Sequence, residues 1–183
     1  MKDFKYKFVG NYNINTLIEL LNNKSGNDWD FWNRKQGRFQ AHSETKTIPL
    51  LLDEGYGYTG EVKGDETKFY LEFKAEISNI KNVISKKYGD GDVLGIEIAK
   101  LPKKSQIYEH KDYGISLSKN PRVHLVLSTN SDVTFKVDGE SKNMKVGEMW
   151  EINNSSLHSV NNNGDTDRIH MVIDYKPVIF TLL

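Results

Sequence analysis

A mainly β chain with helices on its N-terminal side is the fold class this sequence predicts. Three observations predict it. Past residue 92, seven short apolar or alternating runs follow one another, separated by Gly, Asn, Asp or Pro-Lys-Lys turns. Ahead of them lies a single long stretch of helical spacing. A length of 183 residues suits one domain with a sizeable core and would cramp two. Strands in that rhythm after helices form a β-sandwich or barrel backed by helices. The expected organisation is one domain over 1–183: a helical, accessory part over 1–92, a β core over 93–175 and a short tail over 176–183.

Taken in order, Thr16 with Glu19 suits a capping box, and Leu17, Ile18, Leu20 and Leu21 give a short helix ending near Asn22-Asn23. Asp28 to Phe39 holds Trp29, Phe31, Trp32 and Phe39 without a clean period, as a packed loop or helical turn does. Thr47 to Leu52 reads as a strand, with Pro49 favouring an edge. Asp53 to Asp65 is Gly-rich and reads as a loop or hairpin. Phe69, Phe73, Ile77, Ile80 and Ile84 recur at helical spacing, and Gly89 stops the helix. The strands that follow are Val93 to Leu101, Gln106 to His110, Arg122 to Ser128, Val133 to Val137, Met149 to Ile152, Leu157 to Val160 and Arg168 to Tyr175.

Composition removes several classes of function. The 25 basic and 25 acidic residues cancel, so no strong field draws nucleic acid or a membrane surface, and no nucleic-acid partner is expected. The absence of cysteine excludes disulfides, zinc-thiolate sites and thiol catalysis. Any metal must be held by His, Asp or Glu. The start Met1-Lys2-Asp3-Phe4-Lys5 lacks the apolar run of a signal peptide, and no apolar stretch reaches membrane length, so a cytoplasmic location is expected. Oligomeric state leaves no readable signal.

The stretch from Leu157 to Tyr175 carries the chemistry. It is a strand, a polar turn from Asn161 to Asp167, and a second strand. On that second strand, period-two alternation puts Arg168, His170, Val172 and Asp174 on one face, opposite Ile169, Met171, Ile173 and Tyr175. A buried unpaired guanidinium is costly, so Arg168 needs an anionic partner or water. A bound carboxylate would serve, with a metal held by His158 beside it. Upstream, His110-Lys111-Asp112 sets two hard ligands on one side of a strand end. With His158 they make two imidazoles and one carboxylate, the facial set of non-haem Fe(II) oxygenases. Spacing alone does not choose this triplet, because His42-Ser43-Glu44 also qualifies and chance yields roughly 0.7 such triplets.

The ordered series His110-Lys111-Asp112-Tyr113-Gly114, Arg122-Val123-His124-Leu125-Val126, Gly147 to Asn154, His158 and Arg168 resembles the aspartyl/asparaginyl β-hydroxylase-like branch of the 2-oxoglutarate- and Fe(II)-dependent oxygenases. The likeness covers about Val93 to Tyr175 and is strongest in a distal His followed ten residues later by Arg. It implies a double-stranded β-helix (jelly-roll or cupin-like) with N-terminal helices packed on one sheet. It implies Fe(II) ligands at His110, Asp112 and His158, and 2-oxoglutarate gripped by Arg168, with Arg122 and His124 completing that pocket. O₂ would be the other co-substrate. The implied reaction is hydroxylation of an amino-acid side chain, free or in a peptide or protein, with release of succinate and CO₂. One departure stands out: the animal aspartyl β-hydroxylases have glycine where Asp112 stands.

Plainer readings remain open. Arg168 could pair with Asp165, Asp167 or Asp174. His170 suits a structural role. His42, with Glu44, fits a solvated strand edge or a substrate contact, and Tyr108 and Trp150 fit a substrate pocket wall or plain packing. The whole chain could instead be a non-oxidative cupin-like metal protein, an isomerase or small-molecule binder, or an interaction domain with a relict site.

Overall fold

The computed structural model describes residues 2–32, 40–52, 64–114 and 118–178. Two antiparallel sheets face each other. The major sheet has the order β1-β9-β6-β11-β4-β2-β3 and the minor sheet β5-β10-β7-β8. Their strands are β1 (Tyr6–Asn11), β2 (Lys46–Leu52), β3 (Asp65–Glu66), β4 (Gly91–Leu101), β5 (Ser105–His110), β6 (Arg122–Ser128), β7 (Val133–Val137), β8 (Glu140–Lys142), β9 (Glu148–Ile152), β10 (His158–Asn162) and β11 (Arg168–Pro177). This is a mainly β, double-stranded β-helix of the jelly-roll type. Among the described residues no helix is long and apolar enough to cross a membrane.

The major sheet is covered on its outer face by α3 (Tyr70–Tyr88), with α1 (Asn15–Asn22) beside it. The predicted stripe of Phe73, Ile77, Ile80 and Ile84 is the buried face of α3. It meets Ile96, Ile98, Leu125, Met171 and Ile173 in the larger core. Tyr12 and Tyr88 anchor the layers by donating to Glu76 and Glu151 at 2.7 Å each. A second, smaller core fills the space between the sheets, from Leu101, Ile107, Val126, Phe135, Ile152 and Val160. Alternation explains the split: odd and even positions of β11 feed different layers, and the side away from the helix holds the polar residues.

Three local expectations are corrected. The cap of α1 is not Thr16; Ile14 precedes the helix without a side-chain bond, while Asn13 Oδ1 accepts from Asn15 N–H at 3.1 Å. The capping box belongs to α2 (Gly26–Trp29), where Ser25 and Asp28 satisfy each other's backbone. The first 92 residues are not merely accessory, since β1, β2 and β3 complete the major sheet. β1 escaped notice because Tyr6-Lys7-Phe8-Val9-Gly10 alternates poorly and its register against β9 slips between Phe8 and Gly10. Pro49 sits where β2 pairs only with β4, since β3 reaches Leu51 and Leu52 alone, and its carbonyl accepts from the Thr67 hydroxyl at 2.6 Å. Residues 53–63 of the loop expected over Asp53 to Asp65, 33–39 of the segment expected over Asp28 to Phe39, and 179–183 of the expected tail lie outside the described residues.

Candidate functional site

Between the sheets, at the ends of β5 and β10, three side chains converge. His110 stands opposite His158 in the ladder, and their rings are 4.2 Å apart. Simple alternation from the buried Ile107 would turn His110 outward. A register shift in the ladder, where β5 spends three steps from Ile107 to His110 against two on β10, turns it inward instead. Asp112 follows just past the strand end and ties its N–H to the Asn154 carbonyl at 3.0 Å.

The hydrogen bonds aim these groups at a common point. His110 Nδ1–H donates to the Tyr108 carbonyl at 2.7 Å, and His158 Nδ1–H to the Ser156 carbonyl at 3.0 Å. Both Nε2 lone pairs are thereby left facing the Asp112 carboxylate, with Oδ1 at 3.7 and 3.8 Å. Asp112 Oδ2 is occupied elsewhere, accepting from Arg122 at 2.6 Å and from Asn154 at 3.2 Å. Three ligand atoms within 4.8 Å of one another result, and His110 Nε2 is buried with no partner of its own. Backbone carbonyls that hold the far nitrogen of each imidazole are what metal sites use to orient their ligands. Among the described residues the other triplet forms no such group: Glu44 accepts from the Gln106 N–H at 2.9 Å.

Charge supports the arrangement. Burial alone would raise the Asp112 carboxyl, but the Arg122 guanidinium, with His158 and His110, outweighs it and holds the group down to about 2. His158 is pulled below the usual imidazole value by burial, so it stands neutral and able to ligate. The donor set, with a neutral His158 and an ionised Asp112 carboxylate, fits a divalent cation such as Fe(II).

The two arginines have opposite surroundings. Arg122 was expected in the co-substrate pocket; instead its guanidinium is saturated by carboxylates. It grips Asp174 in bidentate fashion at 2.8 and 2.9 Å and Asp112 with its remaining nitrogen. Burial would lower Arg122, yet Asp174 and Asp112 raise it above the ordinary arginine value. Arg168 is 1% exposed and has no carboxylate beside it among the described residues. Among the described residues its one hydrogen bond runs to His170 Nδ1 at 2.7 Å and its Nε has no partner, and the Phe135 ring lies 5.7 Å from its central carbon. Burial pulls it down to about 9. The readings that paired it with Asp165, Asp167 or Asp174 fail.

His124 lies next to it, buried, with both ring nitrogens unpartnered and its ring edge-on to Phe135 and His170 at 5.4 and 5.7 Å. Burial first, then the Arg168 charge, drives it well below the usual histidine range. His42 is not a solvated strand edge. It ends the 3-10 turn Gln40–His42 with its ring 4.5 Å from His110, and burial followed by the His110 charge lowers it to about 4. Tyr108 contributes its carbonyl to His110, while its side chain is 45% exposed and its hydroxyl lies 3.4 Å from Glu44. Trp150 is spent on packing, edge-on to Phe8 at 5.1 Å and under Lys142, with its N–H on Glu148. Sequence reasoning missed Phe135, Asn154 and Asp174 as parts of the site. Alternation marks Phe135 as buried, but nothing local marks it as the ring shared by Arg168, His124 and His158.

Comparison with known proteins bears on the same region. Residues 64–177 match the family model for aspartyl/asparaginyl beta-hydroxylases. Over 84 residues the chain is 31% identical to an L-proline cis-4-hydroxylase of Rhizobium meliloti (strain 1021), a match that covers 45% of this chain and 30% of that enzyme. The chain thus spans under a third of that relative's length. A 2OG-Fe(II) oxygenase family oxidoreductase from Burkholderia pseudomallei superimposes with a TM-score of 0.56 at 12% identity, over 72% of this chain and 66% of that one. A viral collagen prolyl hydroxylase from Paramecium bursaria Chlorella virus-1, in a 2OG complex, gives 0.53 at 10% identity, over 96% and 98%. These structural likenesses speak for the shared fold. The family match takes in more than half of the chain, from β3 to the last strand, and the chain belongs to the aspartyl/asparaginyl β-hydroxylase family.

Proposed function

We propose that this protein is an Fe(II)- and 2-oxoglutarate-dependent oxygenase that hydroxylates an amino-acid side chain, free or within a peptide or protein. The observation that carries the reading is Arg168, a buried guanidinium with no anion beside it among the described residues, in the same interior as a His-Asp-His cluster. Leaving such a charge unpaired is expensive, so the pocket is built for a ligand that brings a carboxylate.

In this reading His110, Asp112 and His158 hold the iron. Together with 2-oxoglutarate and O₂, bound Fe(II) supplies the oxidising power for C–H hydroxylation, with succinate and CO₂ as co-products. The chain's own part is geometric and electrostatic. Arg168 offers the distal carboxylate of 2-oxoglutarate a planar pair of donors, and the acceptor nitrogen of His170 keeps the guanidinium in place. His124 adds an uncharged imidazole with two free nitrogens to the same pocket. Phe135 keeps it dry. Arg122 holds Asp112 by one oxygen so that the other stays turned to the metal position.

A melting scan tests this. With Mn(II) or Ni(II) as an oxygen-inert stand-in, 2-oxoglutarate should raise the transition only when metal is present, because it binds the folded state alone. The shift should vanish in Arg168→Ala. A non-oxidative, cupin-like metal protein is the second reading, favoured by Arg122 being wholly taken up by acids. It gains if metal alone stabilises the protein and 2-oxoglutarate adds nothing.

A further inference from the structure

The interior face of the major sheet carries a carboxylate that neither metal nor co-substrate uses. Glu97 lies in the middle of β4, on the face opposite Ile96 and Ile98 of the helix-side core. Its cross-strand neighbours are Pro49 on β2 and Val172 on β11. Along its own strand the same face shows Gly95 and Ala99. None of these four side chains can donate a hydrogen bond. Glu97 remains partly accessible even so deep in the sheet.

Its position within the site follows from the ladders. The row through Glu97 and Val172 continues to His124. On one side runs the row of Gly95, Asp174 and Arg122, and on the other Ala99 and His170. Glu97 thus sits between the carboxylate clamp at Arg122 and the pocket at Arg168. The nearer guanidinium, each of whose three nitrogens already donates to Asp112 or Asp174, acts on it through space. Burial raises the Glu97 carboxyl above its ordinary value, with Arg122 opposing. The fold therefore stations an acid here at a cost and gives it no hydrogen-bonded partner among the described residues.

Charge balance indicates the missing partner. With Glu97 ionised, three carboxylates (Asp112, Asp174, Glu97), two guanidiniums, a divalent metal and a dianionic co-substrate would leave one net negative charge in the interior, which a cationic partner at Glu97 would cancel. We infer that Glu97 receives a cationic nitrogen of the substrate, either the α-ammonium of a free amino acid or the charged side chain of a basic residue. The inference rests on the hydroxylase reading and narrows its substrate class. A carboxylate on the rigid centre of a sheet holds such a group by a charge-assisted hydrogen bond and fixes which carbon faces the metal.

The test is calorimetric titration of the protein loaded with Mn(II) and 2-oxoglutarate. The ligands are free L-amino acids, their N-acetyl forms, N-acetyl-lysine amide and N-acetyl-arginine amide. Ligands with a cation should bind at least about tenfold tighter than uncharged counterparts, and Glu97→Gln should erase that ratio. Preference for the free α-amine or for the acetylated basic amides tells the two sources of cation apart. Glu97→Gln should keep the metal-dependent 2-oxoglutarate shift and melt no lower than the parent protein. The inference is overturned if Glu97→Gln keeps the ratio, if no cationic ligand binds, if anionic or acetylated neutral ligands bind best, or if the variant melts lower, which would assign Glu97 to the fold. Loss of the 2-oxoglutarate shift in the parent protein would instead remove the oxygenase reading beneath it.

Discussion

Two arginines on neighbouring strands of one sheet, Arg168 buried and Arg122 largely so, show how far surroundings outweigh residue type. Arg122 has three charge-assisted bonds to two carboxylates, whereas Arg168 has one neutral acceptor and a ring. Their replacement by methionine should act in opposite senses. Arg122→Met strands Asp112 and Asp174 and should cost about 3–5 kcal/mol, because breaking a buried pair leaves uncompensated charge. Arg168→Met removes an uncompensated charge and should stabilise the ligand-free protein by about 1–4 kcal/mol while abolishing the 2-oxoglutarate shift. Urea unfolding of both variants without ligand checks the signs; destabilisation by Arg168→Met would mean that its cost is met within the fold. The sequence makes Arg168 conspicuous, since a guanidinium on an inward strand face demands a partner. The family likeness pointed Arg122 to the co-substrate pocket instead, because its partner Asp174 lies 52 residues on and meets it only through the β6–β11 register.

At the level of elements, α3 is the part most legible in the sequence. Its stripe, its stop at Gly89 and its burial follow from side-chain period and glycine's tolerance of positive φ, here 82°. Ile84 is fully buried against the major sheet, on the side away from the site. Ile84→Ala should therefore cost about 2–5 kcal/mol in urea unfolding, from lost transfer energy and the cavity left behind. The metal-dependent 2-oxoglutarate shift should survive in the variant, since the helix buttresses the sheet from outside. If that shift disappeared, the helix-side core would be setting the site's geometry. The end of β5 is the opposite case. Local alternation points His110 away from Ile107's face, and only the slip against β10 turns both inward. The two-residue β3 likewise owes its strand character to the partner it meets, since Asp65 and Glu66 have little propensity of their own.

For the molecule as a whole, an interior lined with histidines makes stability depend on pH. His124 and His170 are both held well below the ordinary histidine value, burial being the main cause and Arg168 the next. The sign follows from linkage: each is neutral when folded, and the unfolded chain takes up a proton below about 6.5. Their contribution is therefore whole above that pH and is lost as the pH falls. Each should cost about 2 kcal/mol between pH 7 and pH 5. Urea unfolding at the two pH values measures the total, and His124→Leu should shrink the difference by one histidine's share. An unchanged difference would mean that His124 takes up a proton in the folded state as readily as in the unfolded chain.

The sequence by itself determined the strand succession, the inward face of β11 and the family likeness, because each depends on side-chain period or on residue types in fixed order along the chain. Only the tertiary structure decided that Asp112 is shared between Arg122 and the imidazoles of His110 and His158, and that among the described residues Arg168 lacks a protein anion and Glu97 stands unpaired between the two arginines. Those facts are set by which strands lie side by side and in what register. Register is a property of pairs of strands, and a single strand's residues do not contain it.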